Sequence, residues 1–247
     1  MTDHPSGLTN DPRWRGTLSE SLKAQTRDWH NLAAGHPFER RLLAGQATRD
    51  DYARYLGQLL HVHLAVEQPL RDRQSEKPIF SAVLHGYHFR VAALLADLRA
   101  LDQPPAHPPP RPALPATGLL CGRITDLAAQ MPVALLGTLY VLEGSTNGGR
   151  FIADVARRSL HLPAGAGTDY LDPHGPAQPE RWRAFKTSLD ALNLRPADRD
   201  TVIAAACDAF RGVHDILEDL THLASASAMA RSPSAPRCSE REKGSPS

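Results

Sequence analysis

Cysteine is scarce in this chain. Cys121, Cys207 and Cys238 are the only three in 247 residues, widely spaced and odd in number, with no CxxC pair. That spacing excludes a disulfide framework and a structural zinc site, and predicts reduced thiols in a cytoplasmic protein. Long apolar runs are missing too. The richest, Pro132–Leu142, ends at Glu143 and is too short to span a bilayer. The opening "MTDHPSGLTNDPRWRG" lacks the apolar core of a signal peptide, so no membrane association is expected. Nor is charge of one sign in excess: 28 Lys+Arg stand against 27 Asp+Glu, a net charge of +1. No global field therefore draws nucleic acid or an anionic membrane surface. Strand signals are absent as well, because no stretch alternates β-branched and polar residues with a period of two.

What remains is helical. Thr17-Leu18-Ser19-Glu20 has the spacing of a capping box and predicts a helix to about Ala34. "HPFERRLLAG" reads as a short helix closed by Gly45, and Thr48 caps a longer one. In that longer segment Tyr52, Tyr55, Leu56, Leu59, Leu60, His63 and Val66 recur at helical spacing. "IFSAVLHGYHFRVAALLADLRAL" continues the pattern as further helix. The proline-dense "QPPAHPPPRPALPA", residues 103–116, breaks it. Its PxxP spacing suits an SH3-type ligand, but a semi-rigid surface connection is the commoner use of such a segment. Helical pattern resumes at "TGLLCGRITDLAAQM", runs through a glycine-bearing helix to about Leu160, and returns in two further helices after a Gly/Pro-rich loop. The expected architecture is all-α, a single-domain bundle of about seven to eight helices over residues 17–225. Residues 1–16 and 226–247 are expected to be disordered flanks.

The stretch "LYVLEGSTNGGRFIADVARR" carries Gly144, Gly148 and Gly149 inside a helical pattern, with Gly137 upstream. Each helical glycine costs about 0.8–1 kcal/mol relative to alanine, so something must require their bareness. At about 100° per residue, Gly137, Gly144 and Gly148 fall within about 20° of one direction. Gly149 points elsewhere and reads as local flexibility. A close helix–helix seam would explain the strip, and so would a flat ligand lying against the backbone. The polar Ser145, Thr146 and Asn147 between the glycines suit a dry seam poorly. Both readings stay open from the pattern alone.

A second pattern is "LKAQTRDWHNLAA" near the amino terminus. Leu18, Leu22 and Trp29 share a stripe within about 40°, while His30, Lys23 and Arg27 lie near 120°, 140° and 180° from it. His30 thus borders a buried stripe and a basic edge. A heme asks for such a set: an imidazole for its iron and cations for its propionates. A half-buried histidine beside a solvated basic face is the plainer alternative. His61 and His63 point to different faces, and His85 and His88 have no metal-ligand pattern around them; all four read as packing or surface residues. A helical di-iron oxygenase would need a Glu-x-x-His pair, and none occurs.

Together, "LKAQTRDWH" and "LGTLYVLEGSTNGGRFI", in that order and separation, resemble the biliverdin-forming heme oxygenases, particularly bacterial members that supply bilin to phytochromes. The similarity spans about residues 17–225. It implies a heme oxygenase-like all-α fold and oxidative opening of heme, at once cofactor and substrate, to biliverdin, carbon monoxide and ferrous iron. Dioxygen and electrons from an external ferredoxin or flavoprotein reductase are implied co-reactants, and a bacterial phytochrome an acceptor for the product. By the resemblance His30 is the iron ligand, and Gly144 and Gly148 belong to a kinked distal helix lying over the heme. Lys23, Arg27 and Lys186, in "RAFKTSL", face the propionates. Ser145 stands where some members carry an aspartate that organises water; a hydroxyl can hold water but carries no carboxylate charge. A heme-binding protein without turnover, serving transport, storage or sensing, is the alternative to an enzyme.

Overall fold

Thr17 opens the first helix as its capping box predicts. Its side chain accepts the Glu20 N–H, Glu20 accepts the Thr17 N–H at 2.8 Å, and α1 runs Leu18–Ala34. α2 (Pro37–Leu43) starts with proline where no N–H is needed. It closes ahead of Gly45, whose φ of +68° suits glycine. α3 (Arg49–Glu76) has its own capping box, Thr48 with Asp51. The computed structural model describes residues 16–101, 111–163 and 165–231. The expected disorder of residues 1–15 and 232–247, Cys238, and most of the proline-rich connection lie outside the described residues.

The segment after α3 departs from the continuous helix expected of it. It divides into α4 (Pro78–Ser81), a 3-10 turn over Gly86–His88, and α5 (Val91–Leu101). Glu67, on α3, accepts the backbone N–H groups of Arg90 and Val91 at 2.5 and 3.0 Å. It thereby satisfies amides that a helix start leaves unpaired, and places a carboxylate at the positive end of α5. The break is made by another helix, so local periodicity does not reveal it.

α6 (Pro115–Gln130), α7 (Leu135–Ser159), α8 (Gln178–Asp190) and α9 (Pro196–Arg231) complete the bundle. Nine α-helices and no strand occur among the described residues. The last helix continues beyond residue 225, where the domain was expected to end. α7 is the central element. Leu135, Leu136 and Leu139 are buried at its start, each removal from water contributing about 1.5–3 kcal/mol. It packs along α9, which also carries α1, and α8 touches both α1 and α7. Among the described residues no helix is long and apolar enough to cross a membrane.

Candidate functional site

The glycines of α7 share a direction on the helix but not an environment. A methyl carbon on Gly137 would sit 1.9 Å from the Val202 carbonyl oxygen and 3.0 Å from the Ala206 nitrogen, both on α9. Gly137 is therefore a close-packing residue between α7 and α9, and the expected three-glycine ligand strip loses its first member. Gly149 is corrected in the same sense. Its added carbon would meet the Leu171 carbonyl oxygen at 2.6 Å, so its bareness admits the connection after α7 and is no mere source of flexibility. On Gly144 the same carbon would rest 3.4 Å from the Trp182 ring, an ordinary contact. On Gly148 it would meet nothing within 4 Å. Gly144 and Gly148 thus retain a side facing aromatic or open space.

Between them the polar side chains fold back onto their own helix. Ser145 Oγ donates to the Leu142 carbonyl at 2.7 Å, Thr146 Oγ1 to Glu143 at 2.6 Å, and Asn147 Nδ2 to Gly144 at 2.9 Å. The carbonyls of Leu142, Glu143 and Gly144 are engaged by these donors. Such back-bonding bends helices more often than it breaks them, and α7 continues without interruption to Ser159.

His30 projects from α1 with its ring exposed and set edge-on to Phe210 of α9, centroids 5.9 Å apart. Neither ring nitrogen is hydrogen-bonded among the described residues. Lys23 is exposed, and Arg27 is exposed beside Asp28 at 3.5 Å. Lys186 lies half-buried on α8, its ammonium 5.6 Å from the centre of the Trp182 ring. One aromatic side chain therefore adjoins both Gly144 and Lys186. The donor set suits a heme: an unengaged imidazole on one helix, a bare backbone face on a second, and cations on α1 and α8.

Other functional groups are not apparent from local sequence. His63, only 1% exposed, lies between Glu67 Oε1 at 2.9 Å from Nδ1 and the Tyr170 hydroxyl at 3.1 Å from Nε2. Burial holds its pKa below the ordinary histidine value, with Glu67 pulling the other way. Arg90 and Glu143 form a buried pair in which one guanidinium nitrogen, Nη2, meets both carboxylate oxygens at 2.9 Å. Burial pushes the Glu143 carboxyl up to about 7 and Arg90 opposes it. His88 is buried as well, and desolvation takes it down to about 3. His63 and His88 were expected in packing or surface roles. The spacing of His63 and Glu67, four residues apart on one helix, is the single sequence signal for this network.

Among the described residues one cluster places possible metal-ligand atoms together: His36, His214 and Glu218, all within 4.8 Å of one another. His36 Nδ1, however, accepts the Phe38 N–H at 3.2 Å as the cap of α2. Its Nε2 then keeps the imidazole hydrogen, 3.2 Å from Glu218 Oε1, and has no lone pair for a cation.

A family model described as heme oxygenase matches residues 16–219. Heme oxygenase 1 of Homo sapiens is 29% identical over 221 residues, which cover 88% of this chain and 76% of that protein. Heme oxygenase 2 of Synechocystis sp. is 27% identical over 211 residues, covering 83% of this chain and 84% of its own length. The crystal structure of heme oxygenase-2 from Synechocystis sp. in complex with heme and NO superposes with a TM-score of 0.78 at 23% identity, covering 86% of this chain and 88% of that one. That last likeness establishes the all-helical fold; the family match over most of the chain makes this protein a member of the heme oxygenase family.

Proposed function

We propose that the chain opens heme to biliverdin, carbon monoxide and ferrous iron, with dioxygen and external electrons as co-reactants, and that His30, Lys23, Arg27, Lys186, Gly144, Ser145 and Gly148 form its site. Family membership supplies the reaction class. One observation carries the residue assignment: the unengaged imidazole of His30 and the open face of Gly148 stand on helices that both pack against α8 and α9. Bound heme would supply the iron that activates oxygen and the porphyrin that is oxidised.

The chain's own residues have distinct tasks. His30 offers a ring nitrogen to the iron, without the strong electron push of a thiolate. Lys23, Arg27 and Lys186 pair with propionates through charge-assisted hydrogen bonds. The contact of Arg27 with Asp28 is exposed and cheap to exchange. Gly144 and Gly148 let the backbone of α7 close on the flat face, where Trp182 helps exclude water. Ser145 brings a hydroxyl to the same part of α7. Electrons come from a ferredoxin or flavoprotein reductase, a bacterial phytochrome is an acceptor for the biliverdin, and the setting is the cytoplasm.

The test is spectroscopic. Hemin added to the wild-type protein should give a Soret band, and a reductant with oxygen should convert it to bilin absorbance. His30→Ala should shift the Soret band and abolish conversion. A Soret band that persists without bilin indicates a heme carrier; no perturbation of hemin by the wild-type protein overturns the reading altogether.

A further inference from the structure

Lys186 is a half-buried cation that has lost its natural helical partner. Four residues on stands Asp190, at the spacing of a helix ion pair. Both Asp190 oxygens turn instead to α1, where they accept the N–H and the hydroxyl of Ser19 at 2.7 and 2.8 Å. Among the described residues no carboxylate or hydrogen-bond acceptor reaches the Lys186 ammonium. Its neighbour is the Trp182 ring, with the centroid 5.6 Å away. An aromatic face attracts a cation, but less strongly than an anion does.

Trp182 lies four residues before Lys186, on the same side of α8. Its ring is fixed by two others: Tyr140 of α7 at 5.2 Å, tilted by 45°, and Phe185 at 5.8 Å, near-parallel at 24°. The edge it turns to α7 is identifiable. Cη2 and Cζ2 are the atoms that would lie 3.4 and 3.8 Å from a methyl carbon on Gly144. Cζ2 is bonded to Cε2, which carries Nε1. The indole N–H therefore belongs to the edge that faces α7, and Cζ3 and Cε3 to the far edge. That N–H has no acceptor among the described residues. An indole nitrogen can only donate, and Trp182 is half-buried, where such a group ordinarily finds a partner.

Two unused donors thus stand one helical turn apart beside the bare backbone of Gly144, and one of them is charged. What both lack is an anion with more than one oxygen to offer.

We propose that Trp182 is a ligand-binding residue, its indole N–H and the Lys186 ammonium each taking one oxygen of a single carboxylate on the bound porphyrin. Without ligand the ring face holds the ammonium in place; with ligand the carboxylate replaces that weaker contact. Because Tyr140 and Phe185 immobilise the ring, the N–H is presented already oriented, and little ordering accompanies binding. That the carboxylate is a heme propionate rests on the heme reading above; the pair of donors without an acceptor does not.

Hemin titration tests the pairing. Trp182→Phe keeps an aromatic ring between Tyr140 and Phe185 and removes the N–H. Its hemin dissociation constant should rise about tenfold, as for one charge-assisted hydrogen bond. With hemin dimethyl ester, whose carboxylates are blocked, variant and wild type should bind within about twofold of each other. A ring acting through packing alone would penalise acid and ester alike. In tryptophan labelled with nitrogen-15, the Trp182 indole N–H should exchange with deuterated solvent about tenfold more slowly once gallium protoporphyrin is bound. Wild-type hemin affinity in Trp182→Phe, an equal penalty for acid and ester, or an exchange rate unchanged by gallium protoporphyrin overturns the proposal. Where the ester binds too weakly to titrate, the exchange rate decides by itself. A wild-type protein that leaves hemin unperturbed overturns the functional reading and this proposal together, and is recognised from the first titration before any variant is made.

Discussion

Both carboxylate oxygens of Asp190 close on Ser19: Oδ1 accepts its backbone N–H at 2.7 Å and Oδ2 its hydroxyl at 2.8 Å. Asp190 is the last residue of α8 and Ser19 lies in the first turn of α1. A negative group there satisfies an amide that the helix start leaves unpaired and complements the positive end of the helix. The contact also ties the helix bearing Lys186 and Trp182 to the helix bearing Lys23 and His30. Asp190→Ala should therefore cost about 1–3 kcal/mol of stability in urea denaturation. It should also weaken hemin binding several-fold while leaving the position of the Soret band unchanged, because His30 itself is untouched. Hemin affinity equal to wild type would show that the two helices hold their relation without this clamp.

Gly137 and Gly148 differ in what lies beyond them, and the same substitution should have opposite effects at the two positions. Alanine is intrinsically about 0.8–1 kcal/mol better than glycine in a helix. At Gly148 the added carbon meets nothing within 4 Å, so Gly148→Ala should raise the stability of the heme-free protein by about that amount and reduce hemin affinity or turnover. At Gly137 the added carbon would lie 1.9 Å from a backbone oxygen of α9, which cannot rotate aside. Gly137→Ala should lose about 1–3 kcal/mol or more as α7 and α9 are forced apart. Denaturation of the two variants without heme decides the matter. A stable Gly137→Ala would mean that α9 yields more readily than close packing allows.

These two glycines also show which information sequence carries. Their common direction follows from helical rotation, and the angle is legible; the partner at that angle, Val202 in one case and open space in the other, depends on where α9 runs. The caps at Thr17 and Thr48 were legible because both members of each box lie within three residues. The start of α5 was not, because the carboxylate that caps it comes from Glu67 on another helix. His30 and its basic neighbours occupy one helix and form a local pattern. Tyr170 and His63 come from two separate segments, and no spacing rule joins them. The candidate site residues lie in short motifs, whereas the buried contacts around them are brought together by the fold.

Interior histidines should withdraw stability from this protein as the pH falls, His88 most clearly. His36, His63, His88 and His174 are all held below the ordinary value, desolvation by burial being the first cause in each. For His88, taken down to about 3, the nearby His85, Arg90, His174 and Arg181 add to burial. In the unfolded chain a histidine takes up its proton near pH 6.5, so the stability contributed by a neutral interior ring is fully present above that pH. It drains away as pH falls toward the folded value, at up to about 1.4 kcal/mol per pH unit for each ring. Glu39 and Glu143, both raised to about 7 by burial, act in the opposite sense. Their contribution is complete below the ordinary carboxyl value and is lost as pH rises to about 7, which partly offsets the histidines between pH 4.5 and 6.5. Below pH 4.5 the carboxyl contribution is complete, and His88 continues to draw stability down toward its folded value of about 3. His88→Phe keeps the ring beside Phe185, which lies 5.2 Å away centre to centre, and removes one titrating group. Urea denaturation at pH 7.5, 6.5, 5.5 and 4.5 should show the wild type losing stability faster than this variant below pH 6.5, by up to one proton's slope. Parallel curves would mean that His88 takes up its proton in the folded protein as readily as in the unfolded chain.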